Sequence, residues 1–468
     1  MTHRIAVLLA LVGPALACPA AAHARLDDGP SLRRQAPAPA VAPAAAGPAV
    51  LVVTVVNGDT NRRVRGARVE LAGKAAVTDA RGEARVRVRR RAPLVVGVRA
   101  EGFTAKELRL PFQRSRKQTV RVYRPDQQWL MYGADHRRTQ THTAIALRPP
   151  FRVAWSRGVG SLVEFPAVVS DGFAYVANYK GHVWALDMRN GDVAWRYRPR
   201  GGKMASSPAV VDARRLVVHG MDGTVRLLDR RTGKLLREIR VGSPIESSPI
   251  VRGGVDYFGT WDGRVIALEL LTGKVRWTYR AGHKITSSAA LQGRRLYIGD
   301  YGGRLLALDA RTGRLQWSRG VGGRVYGTPA VADGRVFVPS STGNSLTAFT
   351  TGGRQLWRLR TGGYVYSSPA VWAGKVYVGS YDGRLYAVSM TNGRVLWRVG
   401  VGGPVSGAPT VVAGVVYAGQ IRGGMVAADA KSGRVLARYP FGNYVPVSGN
   451  AKFLLLHGYS RVFAMAPR

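Results

Sequence analysis

The sequence holds a single cysteine, Cys18, among 468 residues. A disulfide framework, a thiolate zinc site and a CxxCH haem attachment are therefore excluded from the body of the chain. Acidic residues are scarce: 27 Asp plus Glu stand against 70 Lys plus Arg, a formal net charge of +43. Such a surface draws acidic partners and argues against an ordinary neutral cytosolic enzyme. No apolar run reaches the ~18 to 20 residues a membrane-spanning helix needs, and the longest, Ile5 to Ala17, is interrupted by Gly13 and Pro14. The 8 histidines include no HExxH pattern, and no GxxxxGK[ST] phosphate loop occurs. Glycine, by contrast, is abundant at 58 residues, beside 19 Tyr and 10 Trp. That composition favours many short strands joined by tight turns.

His3 and Arg4 precede the apolar stretch Ile5 to Val12, and Ala22-His23-Ala24 follows with small residues where a signal peptidase reads. Residues 1–24 are expected to be an export signal. Cys18, after Ala15-Leu16-Ala17, resembles a lipoprotein box in which Ala15 replaces the usual leucine, so lipidation and a membrane tether through the N-terminus stay open. Residues 25–48, with Ala36-Pro-Ala-Pro-Ala40, read as an extended linker. The expected location is periplasmic, cell-wall associated or secreted.

Over residues 49–125 apolar and polar residues alternate in short runs such as Val50 to Val56, Ala67 to Leu71, Ala84 to Val88 and Leu94 to Val98. These are strands with one face buried, broken at Asn57-Gly58-Asp59, at 79–82 and at Glu101-Gly102. The segments Gly66-Ala67-Arg68-Val69, Thr78-Asp79-Ala80-Arg81-Gly82 and Ala100-Glu-Gly-Phe103 resemble the carboxypeptidase-regulatory-like domain, a transthyretin-like β-sandwich. The resemblance implies an accessory role without catalytic residues. Arg85, Arg87, Arg89, Arg90 and Arg91 make this domain basic, which fits either a polyanion contact or a solvated strand face.

The remainder, 126–468, repeats itself. Turn glycines fall at Gly181, Gly223, Gly263, Gly303, Gly343, Gly383 and Gly423, spaced by 42 residues once and then by 40. Each unit carries four short strands, as in Ser367 to Val371, Lys375 to Ser380, Tyr381 to Val388 and Asn392 to Trp397. A period of this length with four strands is a propeller blade. Asp-Gly at 222–223, 262–263 and 382–383 predicts two-residue hairpins with both residues at positive φ. In Leu308-Asp-Ala-Arg-Thr-Gly313 the aspartate caps backbone amides and the glycine takes the left-handed position. Four residues on stands Trp195, Trp277, Trp317, Trp357 or Trp397, a wedge between blades that lapses at Arg237 and Ala437. The chain ends one strand short, and 151–155 is placed to supply it, which makes an eight-bladed ring.

Ala307-Leu-Asp-Ala-Arg-Thr-Gly-Arg-Leu-Gln-Trp317, its partial copy over 185–195 and the lead-in Trp129 to His136 resemble the repeat of pyrroloquinoline quinone (PQQ) propellers. The fold class is therefore expected to be all-β: an eight-bladed β-propeller behind an N-terminal transthyretin-like β-sandwich. The resemblance covers both quinoprotein dehydrogenases and BamB-like assembly proteins, which are non-enzymatic.

In a four-stranded blade the loops between blades and those joining second to third strands share one face. That face collects Glu164, Tyr179, Lys203, Glu246, Trp261, Lys284, Asp300, Tyr301, Arg324, Tyr326, Tyr364, Tyr366 and Tyr381. Aromatic rings interleaved with cations stack planar groups and neutralise acids. The partners expected are envelope proteins, anionic polymers or glycans; nucleic acid is disfavoured, and the chain is expected to be monomeric. A quinoprotein would need Ca²⁺ beside PQQ, and Glu164, Glu246 and Asp300 are the acids available for it. They stand on different blades, and the vicinal cysteines and long insertions of the dehydrogenases are missing. The sequence therefore favours a binding scaffold with no catalytic residues, no metal and no cofactor, with a PQQ- and Ca-dependent oxidoreductase as the alternative.

Overall fold

The structure is a computed structural model that describes residues 49–88, 94–110 and 117–468. The export signal over 1–24, the linker over 25–48, Cys18 and the arginines at 89–91 lie outside the described residues.

Two sheets make up the beginning of the described chain. One runs in the order Glu83–Val88, Ala49–Asn57, Lys117–Val122, the other Lys74–Val77, Arg68–Leu71, Leu94–Arg99, Lys106–Leu110. Alternation decides which side faces in: Ala84, Val86 and Val88 are buried while Arg85 and Arg87 are exposed. Leu51, Val53, Val55, Val69, Val96, Val98, Val120 and Val122 close the shared apolar core.

From Val168 onward the chain is a β-propeller: sheets of four antiparallel strands follow one another, for example Ala330–Ala332, Arg335–Ser340, Ser345–Thr350 and Gln355–Arg360, and the one that contains Thr410–Val412 gains Thr141–His142 as a parallel fifth strand. The two middle strands of each sheet are buried on both faces, whereas the outermost is largely exposed. A sheet covered on both sides by its neighbours requires this near-continuous apolar pattern. The last sheet, made of Ser448–Gly449, Leu454–Gly458 and Arg461–Pro467, takes its fourth strand from Phe151–Gly158, with Trp155 opposite Ala464. An early strand thus covers the edge that the chain end would leave open.

Neighbouring sheets are locked by the tryptophans. The indole Nε1–H of Trp277 donates to Ala310 O at 2.9 Å, that of Trp317 to Thr351 O at 3.0 Å and that of Trp357 to Met390 O at 3.1 Å. Each ring lies on the turn glycine of the next sheet. A Cβ at Gly313, where φ is +73°, would stand 2.7 Å from Trp277. Arg237 fills the same place with a guanidinium that donates to Thr272 O at 3.2 Å.

The aspartates of the outer turns cap as expected: Asp309 Oδ1 accepts from the N–H groups of Arg311 and Thr312 at 3.0 and 2.9 Å. The Asp-Gly hairpins differ from expectation. At 222–223 only Gly223 has positive φ, and the loop spans three residues, with the Gly220 N–H bonded to Thr224 O at 2.8 Å. Asp222 keeps a negative φ while its carboxylate accepts from the Thr224 hydroxyl at 2.6 Å and pairs with Arg226, so a single left-handed glycine completes the turn.

Candidate functional site

The mouth of the propeller is built on a hydrogen-bonded ladder of loops. The N–H of Tyr179 donates to Leu162 O, Trp261 to Pro244 O, Tyr301 to Lys284 O, Ser341 to Arg324 O and Tyr381 to Tyr364 O, all at 2.7–3.0 Å. Each loop is also tied to the preceding sheet: Ile285 N–H donates to Thr260 O, Val325 to Asp300 O and Val405 to Ser380 O, each at 3.1 Å. The buried valine or isoleucine at these links is followed by Glu246, Tyr326 or Tyr366, of which the tyrosines are half-buried and Glu246 is buried. Much of the loop backbone is thus consumed internally, which leaves the side chains to present the chemistry.

Five tyrosines form one chain of ring contacts. Tyr301 and Tyr326 have centroids 4.5 Å apart, Tyr326 and Tyr366 4.8 Å, Tyr366 and Tyr381 4.9 Å, and Tyr364 lies 5.9 Å from Tyr366 and 6.1 Å from Tyr381. The chain continues through cations. Lys284 Nζ lies 3.1 Å from the Trp261 ring centroid and 5.3 Å from that of Tyr301, and Arg324 sits 5.9 Å from the Tyr301 ring. Glu246 joins through Oε2, which accepts from Trp261 Nε1–H at 3.1 Å. Burial pushes the Tyr366 and Tyr381 hydroxyls above their ordinary range, so both remain O–H groups at neutral pH.

The other residues singled out in the sequence lie elsewhere. Lys203 sits 5.0 Å above the Tyr179 ring as a separate pair. Glu164 stands beside Tyr444, whose hydroxyl is held well above its ordinary range first by burial and then by that carboxylate. Asp300 is fully buried, with Oδ1 accepting from the Arg304 N–H at 2.9 Å and Oδ2 from its Nε at 3.2 Å. Glu164, Glu246 and Asp300 are not brought together. Among the described residues no three His, Cys, Asp or Glu side chains form a group that could hold a metal ion. Glu164, Glu246 and Asp300 therefore do not form a three-carboxylate cradle.

The recurring serines act between sheets. Ser248 Oγ accepts from the Ser207 N–H at 3.0 Å, Ser288 Oγ from Ser248 at 2.8 Å, Thr328 Oγ1 from Ser288 at 3.3 Å and Ser368 Oγ from Thr328 at 2.8 Å. These hydroxyls serve as acceptors in a belt around the ring, a structural role.

Sequence reading missed the centre. The lead-in over residues 129–142 follows the free edges of the inner strands. Val210 N–H donates to Leu130 O, Leu291 to His136 O, Val331 to Arg137 O, Val371 to Thr139 O and Val411 to Gln140 O, at 2.7–2.9 Å. His136 Nε2 bonds Val251 O at 2.8 Å. Arg138, 1% exposed, reaches Ala289 O at 2.9 Å, Pro249 O at 2.8 Å, Ser248 O at 3.2 Å and Tyr132 O. Burial pulls its guanidinium down to about 10, still cationic at neutral pH. The clue was available: each inner strand has an edge whose amides need partners.

A profile described as "Outer membrane protein assembly factor BamB" matches residues 137–209, 198–288 and 262–466. No curated protein matches in sequence. Among solved structures, BamB from Moraxella catarrhalis is 21% identical with a TM-score of 0.58, covering 68% of this chain and 98% of its own. The quinohemoprotein alcohol dehydrogenase from Comamonas testosteroni is 16% identical with a TM-score of 0.61, covering 72% and 80%. The computationally designed Ika8 protein is 16% identical with a TM-score of 0.60, covering 68% and 100%. At these identities the likeness is one of fold, shared by an assembly factor, an enzyme and a designed protein.

Proposed function

Because the chain belongs to the family of outer membrane protein assembly factor BamB, we propose that it is an exported, non-enzymatic binding and assembly scaffold. On this reading the repeats form an eight-bladed ring, and the two-sheet domain in front is a carboxypeptidase-regulatory-like spacer. The observation that carries the proposal is the unbroken aromatic and cationic crescent from Trp261 to Tyr381 on a face whose loops are laced together. Loops whose amides and carbonyls are bonded to each other do not take up an added strand, so recognition there works through side chains. Rigid tyrosines and tryptophan, ringed by cations, are the anchors that protein interfaces use, because they lose little entropy when a partner docks. An envelope protein presenting acidic and apolar groups fits this surface best, and anionic polymers or glycans are the other ligands its cations would hold.

A photo-cross-linking residue placed at Tyr364, 47% exposed, tests this in the producing cell. A discrete protein adduct is expected, lost when Tyr326 and Tyr366 are changed to alanine. The same residue at Leu271, 52% exposed on the opposite face, should give none. The alternative, a quinoprotein oxidoreductase, is addressed by calorimetric titration with PQQ, with and without Ca²⁺, at moderate salt. Saturable, Ca²⁺-dependent one-to-one binding would overturn the non-enzymatic reading.

A further inference from the structure

The small N-terminal domain is electrically polar along its strands. The strand Ala49–Asn57 runs toward the propeller, where Asp59 Oδ1 accepts from Asn450 Nδ2 at 2.7 Å and Oδ2 from Gln128 Nε2 at 3.2 Å. Its other end forms the far tip. There the register sets Val50 opposite Arg87 and Val52 opposite both Arg85 and Lys117. The second sheet brings Leu94 beside Leu110, Val95 beside Arg109 and Leu71 beside Lys74 to the same tip.

Signs of charge separate along this axis. At the tip, Arg85, Arg87, Lys117, Arg109 and Lys74 are all exposed, and Arg85 Nη2 lies 3.7 Å from Oε2 of Glu83, two residues further toward the propeller on the same strand. The domain's acids stand further toward the propeller: Glu83 is opposite Thr54, Glu70 and Glu107 flank Gly97, and Asp79 caps the turn to Glu83. Between the tip cations, Val50 and Val95 expose 39% and 41% of their surface.

We propose that this tip is a contact for an anionic membrane surface, with the cations on lipid phosphates and Val50 and Val95 at the headgroup boundary. Two features favour a lipid surface over a soluble polyanion. The cations come from both sheets and end on one tip, which matches a plane better than a thread. Exposed aliphatic groups among them gain from a headgroup boundary and gain nothing from a hydrated polymer. The proposal is independent of what docks at the propeller mouth.

Vesicles of phosphatidylcholine with and without phosphatidylglycerol test it, using the full chain and co-sedimentation. Since the whole protein is basic, the decisive comparison holds net charge constant. R85Q together with R87Q should weaken phosphatidylglycerol-dependent binding by on the order of twentyfold, about fivefold for each arginine. R311Q together with R314Q, at an exposed turn of the propeller, should leave it within about twofold, because charges well beyond a Debye length of ~10 Å contribute little. Equal losses from the two pairs would overturn the proposal in favour of diffuse attraction. Binding of soluble polyphosphate that depends on Arg85 and Arg87, with no gain from phosphatidylglycerol, would overturn the lipid assignment. Unchanged thermal unfolding of both variants confirms that the comparison is between folded proteins.

Discussion

The packing of Trp277 on Gly313 gives the sharpest quantitative test. Placing a Cβ at Gly313 has two costs. The residue is left-handed at φ +73°, which costs an L-residue roughly 1–2 kcal/mol. The new methyl also stands 2.7 Å from Trp277 Cδ2 and Cε3, and moving a ring that is only 9% exposed adds about 1–3 kcal/mol of overpacking. Gly273 supplies the control. Its φ is +78°, in the equivalent turn, but the atoms above it belong to Arg237 and Ile239 and lie at least 3.5 Å from the Cβ position. G273A should therefore cost only the backbone part, and G313A about 1–3 kcal/mol more. In W277A the collision is gone, so G313A made in that background should fall to the cost of G273A. Urea unfolding followed by tryptophan fluorescence and by circular dichroism measures these differences, provided both probes give one coincident transition. Equal costs for G313A and G273A, within about 0.5 kcal/mol, would refute the idea that the tryptophan on the next sheet enforces glycine.

Replacing Arg138 by methionine leaves the carbonyls of Ser248, Pro249, Ala289 and Tyr132 without their donor; the loss should exceed about 3 kcal/mol and speed amide exchange at Leu291 and Val331, read by hydrogen–deuterium exchange. Asp59 is pushed up to about 6 chiefly by burial, so the stability gained by its protonation is present in full below its ordinary 3.8 and lost as pH rises through about 6. D59N should flatten the pH dependence of the melting temperature across that window. His457 is pushed the opposite way by burial, down to about 3, and its Nε2 accepts from the Ala167 N–H. Its contribution is complete above the ordinary 6.5 and lost as pH falls toward about 3, and H457Q should remove that acid limb. Changing Tyr366 to alanine, at the junction of the tyrosine chain, should leave the melting temperature within a few degrees while abolishing any cross-link from Tyr364.

The repeat was legible because each of its marks has a local cause. A capping aspartate such as Asp309, a left-handed glycine such as Gly313 and a wedge such as Trp317 all sit within one short run of sequence. The tyrosine crescent was legible as a set, since the 40-residue period places Tyr326 and Tyr366 at equivalent positions of successive units. What the period could not give was the direction of a side chain. Asp300 sits in the same loops as Trp261 and Tyr301, yet it turns inward to Arg304, because a buried carboxylate takes the nearest guanidinium and amides. Nor could it give the path of the lead-in, which lies outside the repeat and makes its bonds with strands as distant as Val411.

That path has a consequence for how the molecule comes into being. One short stretch, made before the strands it holds, bonds through Trp129, Leu130, His136, Arg137, Thr139 and Gln140 to the inner strands of successive sheets as far as Val411. An open array of repeats can fray at one end while the rest survives. Here a single thread is sewn through nearly every unit, and the final strand must find a partner laid down some three hundred residues earlier, Phe151–Gly158. Such non-local closure makes folding slow and leaves unpaired strands exposed while the chain grows. Once sewn, the ring has no independent units to lose: pulling the thread at Arg138 undoes neighbours on both sides, so damage at the hub should be felt at the rim.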